Sequence, residues 1–433
     1  MIQEASIWEG TTADYLIHLK GHLLDRLQPH TDWWNARYAA GIDPFSKSSV
    51  GRILSEGQAM DRLGRSFQGV NLASQDYLAL ASHPKIIQAA KEAAETYGVH
   101  SAGSAALMGN SAPSVALEEK LAAFVGKKSC TLFPTGWSAG YGAIHCLVKS
   151  DDYVVIDYLA HACLMAGSRA ATKNVHTFPH LSLRGLEHKL RTIRKNNKDA
   201  GILVVTESLF SMDSDTPDLA AHQELANKYN ATLLVDVAHD LGCLGPTGRG
   251  HLEVQNMLDK VDIIMGSFSK TFASNGGFVA TDHPALKLAL RYGSNPLAFS
   301  NAISPVQAST VLKVLEIVES EEGRQLRQQM LSNAIYLRER LSAYDFELIG
   351  NPSAIVPVQL GNMKRSRMIV SEVLQRGGLV NLVEYPAVSR TNSRVRLQVM
   401  ASHTTEQLDR FVDILVAARQ AVYEIGTPMM MAD

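Results

Sequence analysis

The chain has 433 residues, 46% hydrophobic and 19% charged, which is enough for one large core or two linked ones and excludes a disordered or low-complexity protein. Lysine and arginine total 41 against 43 acidic residues, a formal charge of -2 with no basic cluster, so nucleic acid and anionic membrane surfaces are poor main partners. Cys130, Cys146, Cys163 and Cys243 are too scattered for a zinc knuckle and too few for a disulfide framework, the first ten residues show no leader pattern, and no apolar stretch approaches the ~18 residues of a membrane span; the expectation is a soluble cytoplasmic protein.

Residues 1–66 read as an N-terminal arm of helices, 67–310 as a large domain and 311–433 as a smaller C-terminal one. A helix is predicted after His83, with Pro84 in its first turn, Ile86, Ile87, Ala90 and Ala94 on one face, and Gly98 as the stop. From Gly69 to about Thr281, helical patterns alternate with continuously apolar runs. These are Thr131–Phe133, Tyr153–Ile156, Ile202–Thr206, Thr232–Val235, Val261–Met265 and Gly277–Thr281. Such runs are strands covered on both faces, and the alternation predicts an α/β domain with a mostly parallel sheet. Long helices are predicted over 306–344. The remainder reads as α+β, with strands at Ala354–Val358, Leu379–Val383 and Arg394–Val399. The last of these alternates Arg394, Arg396 and Gln398 against Val395, Leu397 and Val399. A final helix opens on a Thr404/Gln407 capping box and buries Leu408, Phe411, Val412 and Leu415.

Thr135-Gly-Trp-Ser-Ala-Gly-Tyr-Gly142 stands between a strand and a helix, as a dinucleotide-binding turn does. None of the 13 tyrosines has a lysine four residues later, which weighs against a short-chain dehydrogenase. The physical content of the segment remains: glycines at a helix start offer backbone N–H groups to a phosphate. Polar residues then recur where the apolar runs end, the place where an open α/β sheet binds its ligands. They are Asp157 with His161, Glu207 with Ser211, Asp236 with His239, and Ser267, Ser269 and Lys270. Any one of them has an ordinary structural explanation as a helix cap, a core histidine or a solvated lysine. Four such clusters at successive strand ends exceed what capping requires.

Asp236-Val-Ala-His239 is followed, 34 residues after Asp236, by Gly266-Ser-Phe-Ser-Lys270. Together with Ser74-Gln-Asp-Tyr-Leu-Ala-Leu80, Phe133-Pro-Thr-Gly-Trp137, Asp157-Tyr-Leu-Ala-His161, Glu207-Ser-Leu-Phe-Ser211, and Arg394-Val-Arg396 with His403, this order resembles the α-oxoamine synthases. That group holds the 8-amino-7-oxononanoate synthases, serine palmitoyltransferases and long-chain amino-ketone synthases. It lies among the pyridoxal-phosphate (PLP) enzymes of fold type I, the aspartate aminotransferase-like α/β fold with a large mostly parallel domain and a smaller α+β domain.

The resemblance implies pyridoxal 5'-phosphate as cofactor, held covalently by Lys270, which also moves the Cα proton. It implies Asp236 on the pyridine nitrogen, His239 at the phenolic oxygen and His161 stacked on the ring. It puts the phosphate on Gly136, Trp137, Ser267 and Ser269, completed by Ser300 and Asn301 from a second subunit of a homodimer. Glu207 and Ser211 orient polar groups, and Arg396, His161 and Asp76 bind substrate. The implied reaction is decarboxylative condensation of an amino acid with an acyl thioester, on coenzyme A or a carrier protein, to an α-amino ketone. The alternatives are an aminotransferase of the same fold and a non-catalytic subunit of a synthase heterodimer.

Two departures stand out. Val237 and Asp240 replace the family's Glu and Ser, which is expected to add a carboxylate near the cleft, and the stretch Ser101–Met108 lacks the family's arginine. The segments Asp76–Pro84 and Ser269–Ala273 resemble long-chain amino-ketone synthases, and Gly41-Ile-Asp-Pro-Phe45 resembles serine palmitoyltransferases. Both tilt the acyl donor towards a medium or long chain.

Overall fold

The computed structural model describes residues 4–16, 20–42 and 45–426, so Asp43 and Pro44 of the Gly41–Phe45 motif lie outside the described residues. In chain order the strands are β1 Ser48–Val50, β2 Glu56–Met60, β3 Ser66–Asn71, β4 Ser129–Phe133, β5 Tyr153–Asp157, β6 Val175–Phe178, β7 Ile202–Glu207, β8 Thr232–Asp236, β9 Ile263–Ser267, β10 Gly277–Thr281, β11 Ile355–Gly361, β12 Gly378–Leu379, β13 Asn381–Val383 and β14 Ser393–Gln398. The residues divide into two compact units, one of 75–211 and 215–328, the other of the described residues up to 74 with 212–214 and 329–426.

The first unit is built on a seven-stranded sheet in the order β4-β10-β9-β8-β7-β5-β6, in which only β10 runs against its neighbours. Its central strands are buried on both faces, which is why their sequences are continuously apolar. Val154, Ile156, Leu203, Val205, Leu234 and Met265 share one core with Ala139, Ala143, Ile144 and Leu164 of the covering helices. The helix Pro84–Tyr97 forms as its punctuation predicts: His83 caps it, Gly98 ends it at φ +78°, and Ile86, Ala89 and Ala93 make its buried stripe. β6 was not among the predicted strands. It is an edge strand paired only with β5, and Val175-His-Thr-Phe178 therefore carries no apolar run. β9 lies two residues beyond its predicted limits, because Asp262 is used instead to accept the Leu233 N–H at 2.7 Å. The shift makes Ser267 the last residue of the strand.

The second unit holds two sheets, β1-β2-β3-β12 and β11-β14-β13. Residues 48–66, expected to belong to a helical arm, instead join 67–71 in an antiparallel meander. Gly69 lets β12 join it: a Cβ there would lie 1.7 Å from the Gly377 carbonyl, so β12 reaches β3 only across a glycine. The predicted strand 379–383 is two short strands, one in each sheet. The final helix, Thr405–Gly426, opens on the expected reciprocal bonds between Thr404 and Gln407, and its Leu408, Phe411, Val412 and Leu415 are fully buried against Val356, Val395 and Leu397. The long helices predicted over 306–344 are Pro305–Val318 and Glu321–Ser342. Among the described residues no helix is long and apolar enough to cross a membrane.

Candidate active site

Parallel strands β5, β7, β8 and β9 all end on the same side of the sheet, and Asp157, Glu207, Asp236 and Ser267 are their last residues. Glu207 and Asp236 are register partners, so two buried carboxylates stand side by side. Next to them lies a cavity of about 260 Å³, whose lining includes Gly136, Trp137, His161, Glu207, Asp236, His239, Ser267, Ser269 and Lys270. Nine of the sequence-predicted site residues are thus gathered in one place.

Burial pushes the Asp236 carboxyl up, and the charges of Lys270 and His161 oppose that rise; one Asp236 oxygen accepts the Ala238 N–H at 2.9 Å. Glu207 is raised as well, first by burial and then by the neighbouring Asp236, and it accepts the backbone N–H of His161 at 2.5 Å. A partly negative floor of this kind favours a cation above it. Lys270 supplies one from a tight turn, in which Phe268 packs on Phe272 and Phe278 and the Lys270 carbonyl accepts the Ala273 N–H at 3.1 Å.

Another part of the lining is made for an anion. Thr135 and Ser138 close a capping box at the start of the helix Gly136–Leu147, and the N–H groups of its first turn face out of the helix end. Ser267 Oγ and Ser269 Oγ lie 2.7 Å apart on the facing strand end. A Cβ on Gly136 would fall 2.3 Å from Ser267 Oγ, so only glycine lets helix and strand close into this cradle. Phosphate donors, a buried carboxylate for a protonated ring nitrogen and an amine, all lining one cavity, fit pyridoxal phosphate.

His161 caps the helix Ala162–Ala171. Its Nδ1 accepts the Cys163 N–H at 3.2 Å with the Cys163 thiol at 3.0 Å, so in its neutral form the ring carries the proton on Nε2. His239 Nδ1 stands 2.9 Å from the Tyr77 hydroxyl. Asp76, assigned to substrate, is absent from the cavity lining. Its two oxygens accept the N–H groups of Leu80 and Ala81 at 2.8 and 2.9 Å, making the turn that presents Tyr77, and burial pushes its carboxyl up to about 6. Ser211, Ser300 and Asn301 do not line the cavity either. Asn301 bonds His100 at 3.1 Å, and the neighbouring Ala302 N–H donates to the Gly103 carbonyl, so the 299–302 segment is clasped to the altered 101–108 loop. Arg396 lies in the other unit, on β14 between Pro357 and Asn381.

The Asp240 carboxylate does not line the cavity but stands close behind it, near enough to Asp236 for that charge to add to burial in raising the Asp240 pKa. The chain turns after Asp236, with the Leu241 N–H bonded to the Val237 carbonyl, and this turns Asp240 from the lining to accept Ser208 Oγ and the His251 N–H, each at 2.7 Å. Val237 is likewise fully buried outside the lining. Sequence reasoning missed Tyr77, Cys163 and His180, whose contacts with the site residues exist only after folding.

His403 belongs to the motif that singled out this chain, yet its work is structural. Nδ1 accepts the Met400 N–H at 2.9 Å and Nε2–H donates to the Asn71 carbonyl at 3.1 Å. Burial holds its pKa down to about 4, against 6.5 for a free imidazole. The folded value lies below the unfolded one, so this stabilisation is complete above pH 6.5 and is lost as pH falls from there towards 4. His403→Gln is expected to lack about 2 kcal/mol of the wild-type loss of stability on going from pH 7.5 to pH 5, read from urea unfolding midpoints.

A profile of the aminotransferase class I and II family matches residues 68–415. Serine palmitoyltransferase of Sphingobacterium spiritivorum is 35% identical over 343 residues, 79% of this chain and 84% of that protein. The 2-amino-3-ketobutyrate coenzyme A ligase of Salmonella typhimurium is 33% identical over 84% of this chain and 90% of its own. The 8-amino-7-oxononanoate synthase of Coprothermobacter proteolyticus is 32% identical over 80% of this chain and 87% of its own. Among solved structures, the serine palmitoyltransferase of Sphingomonas wittichii superposes with a TM-score of 0.86 at 27% identity, covering 93% of this chain and 99% of that one.

Proposed function

The chain belongs to the α-oxoamine synthases of the aminotransferase class I and II family, PLP-dependent acyltransferases that condense an amino acid with an acyl thioester and release carbon dioxide, and from that premise we propose how its own residues do so. The observation that carries the reading is the convergence of Asp236, Lys270 and His161 with the Gly136 helix start and the Ser267/Ser269 pair around one cavity. Gly136, Trp137, Ser267 and Ser269 hold the phosphate. Asp236 keeps a proton on the pyridine nitrogen, and His239, steadied by Tyr77, meets the phenolic oxygen. When bound, pyridoxal phosphate supplies an electron sink for the charge left at the amino acid's Cα.

The amine of Lys270 takes the Cα proton and later returns it. His161 donates from Nε2 to the substrate carboxylate and to the incoming acyl carbonyl, while Glu207 fixes its backbone; Arg396 is proposed as the carboxylate clamp from its place in the Arg-Val-Arg motif. We further propose a homodimer in which Ser300 and Asn301 complete the phosphate site of the other subunit. Phe299, 86% exposed beside the clasped 101–108 loop with Leu107 and Met108 also exposed, supports this. The acyl donor is proposed to be a medium- or long-chain thioester, and the four buried free cysteines fit a cytoplasmic setting.

Visible absorption of the purified holoenzyme, recorded while each amino acid is titrated and then with acyl thioesters, tests the reading. One amino acid is expected to shift the cofactor band, and a thioester is then expected to give stoichiometric thiol and carbon dioxide. Amino-group transfer to the cofactor with no thioester required identifies an aminotransferase instead, and the absence of any cofactor band on reconstitution identifies a non-catalytic subunit.

A further inference from the structure

Asp157 ends β5, is fully buried, and is where the chain turns to deliver His161. One of its oxygens accepts the Leu159 N–H at 2.9 Å and the other the Leu181 N–H at 3.0 Å. His180 stands against it, with Nδ1 2.9 Å from Asp157 Oδ1 and Nε2 3.0 Å from Asp215 Oδ2. An imidazole flanked by a carboxylate at each nitrogen donates to both only as the cation. Burial alone would lower its pKa, but the hydrogen bonds and charges of Asp157 and Asp215 raise it to about 10. On the far side, the Asp215 carbonyl accepts the Phe210 N–H at 2.9 Å, and the Phe210 ring meets the His180 ring edge-on at 4.5 Å. The segment so closed follows Glu207 and carries Ser211.

We propose that His180, held as a cation between Asp157 and Asp215, is a positioning residue that fixes where the His161 turn and the Ser208–Ser211 segment stand beside the Lys270 cavity; the inference rests on the acyl-transfer reading above. The turn that ends in His161 is gripped at both ends by carboxylates, Asp157 at its start and Glu207 at the His161 N–H. The two grips draw on different counter-charges: buried Asp157 faces His180, whereas Lys270 acts on Glu207. Without the His180 charge the buried Asp157 carboxylate has reason to protonate or move, and the His161 ring moves with the turn. Lys270 and Asp236 are held by other strands and keep their places.

The test uses His180→Gln, with Asp215→Asn as a second variant that removes one carboxylate and leaves the histidine. In the holoenzyme both are expected to retain cofactor and the spectral response to amino acid, to keep KM for the amino acid within about threefold, and to lower kcat for thiol release by about tenfold or more. A second readout needs no turnover. The Trp137 ring lies edge-on to His161 at 6.0 Å, so in the cofactor-free chain labelled with 5-fluorotryptophan the Trp137 signal is expected to shift in both variants. Wild-type kcat with an unmoved Trp137 signal overturns the inference, as does a loss of kcat that only follows a loss of bound cofactor. If the wild-type enzyme releases no thiol from any thioester, the acyl-transfer reading is what fails, and the Trp137 shift still decides the positioning.

Discussion

Lys270→Ala is expected to abolish thioester-dependent thiol release, with a loss of at least 10²–10⁴-fold from the missing proton transfer alone. The lysine sits half-buried on the turn after β9, and the cavity beside it holds two carboxylates in register on β7 and β8. Its ammonium therefore has a second task, that of offsetting buried negative charge. Its removal should drive Asp236 and Glu207 further towards their neutral forms, as the opposing effect of Lys270 on both already indicates. Lys270→Arg separates the two tasks: it keeps the positive charge but offers no amine able to give up a proton near neutral pH. The arginine variant should bind cofactor better than the alanine variant and be equally inactive. Added methylamine should restore part of the rate to the alanine variant by replacing the missing base. Stopped-flow thiol release and cofactor retention on dialysis measure the two effects, and appreciable turnover by Lys270→Arg would remove Lys270 from the proton-transfer role.

The parts that sequence reveals are those whose physics is local. Strands covered on both faces are written as unbroken apolar runs, so β4, β5, β7, β8, β9 and β10 were legible, and with them the strand ends where ligands bind. Edge strand β6 and the meander 48–71 were not. Glu56-Gly-Gln-Ala-Met60 has no β-branched residue, and its burial only alternates between exposed and partial, so its pairing partners hold it as a strand more than its own side chains do. At the site, the ordered motifs pointed to Lys270, Asp236, His161 and the Gly136 helix start, which the fold brings to one cavity. Asp240 stands near the cavity as expected but behind its lining, because its oxygens are taken up by Ser208 and the His251 N–H, partners that its place beside His239 in sequence does not disclose. Tyr77 touches His239 across 162 residues, and His180 reaches Asp215 across 35. Such pairings are set by the sheet order, which no local pattern encodes.

Asp236→Asn separates the electrostatics of the site from its shape. Asparagine has the same outline, and its carbonyl oxygen can still accept the Ala238 N–H, so the turn after β8 should hold. What disappears is the negative charge proposed to keep a proton on the pyridine nitrogen. The rate should fall by about 10²–10³-fold, the scale found when one preorganised electrostatic partner of a reacting group is removed. Stability should move the other way. Burial raises the Asp236 pKa above its unfolded value near 3.8, so in the cofactor-free protein the folded state binds the proton more tightly than the unfolded chain. Wild-type stability therefore falls as pH climbs from 3.8 through the raised folded value, and the asparagine variant escapes that fall. The cofactor-free variant should be at least as stable as the wild type near neutral pH, with an advantage that vanishes towards pH 4. In holoenzyme the order should reverse, because the bound cofactor then supplies the positive charge that buried Asp236 requires. Thermal midpoints of both proteins with and without cofactor, beside their rates of thiol release, test this. A variant that turns over like the wild type would show that Asp236 does not govern the cofactor's ring nitrogen.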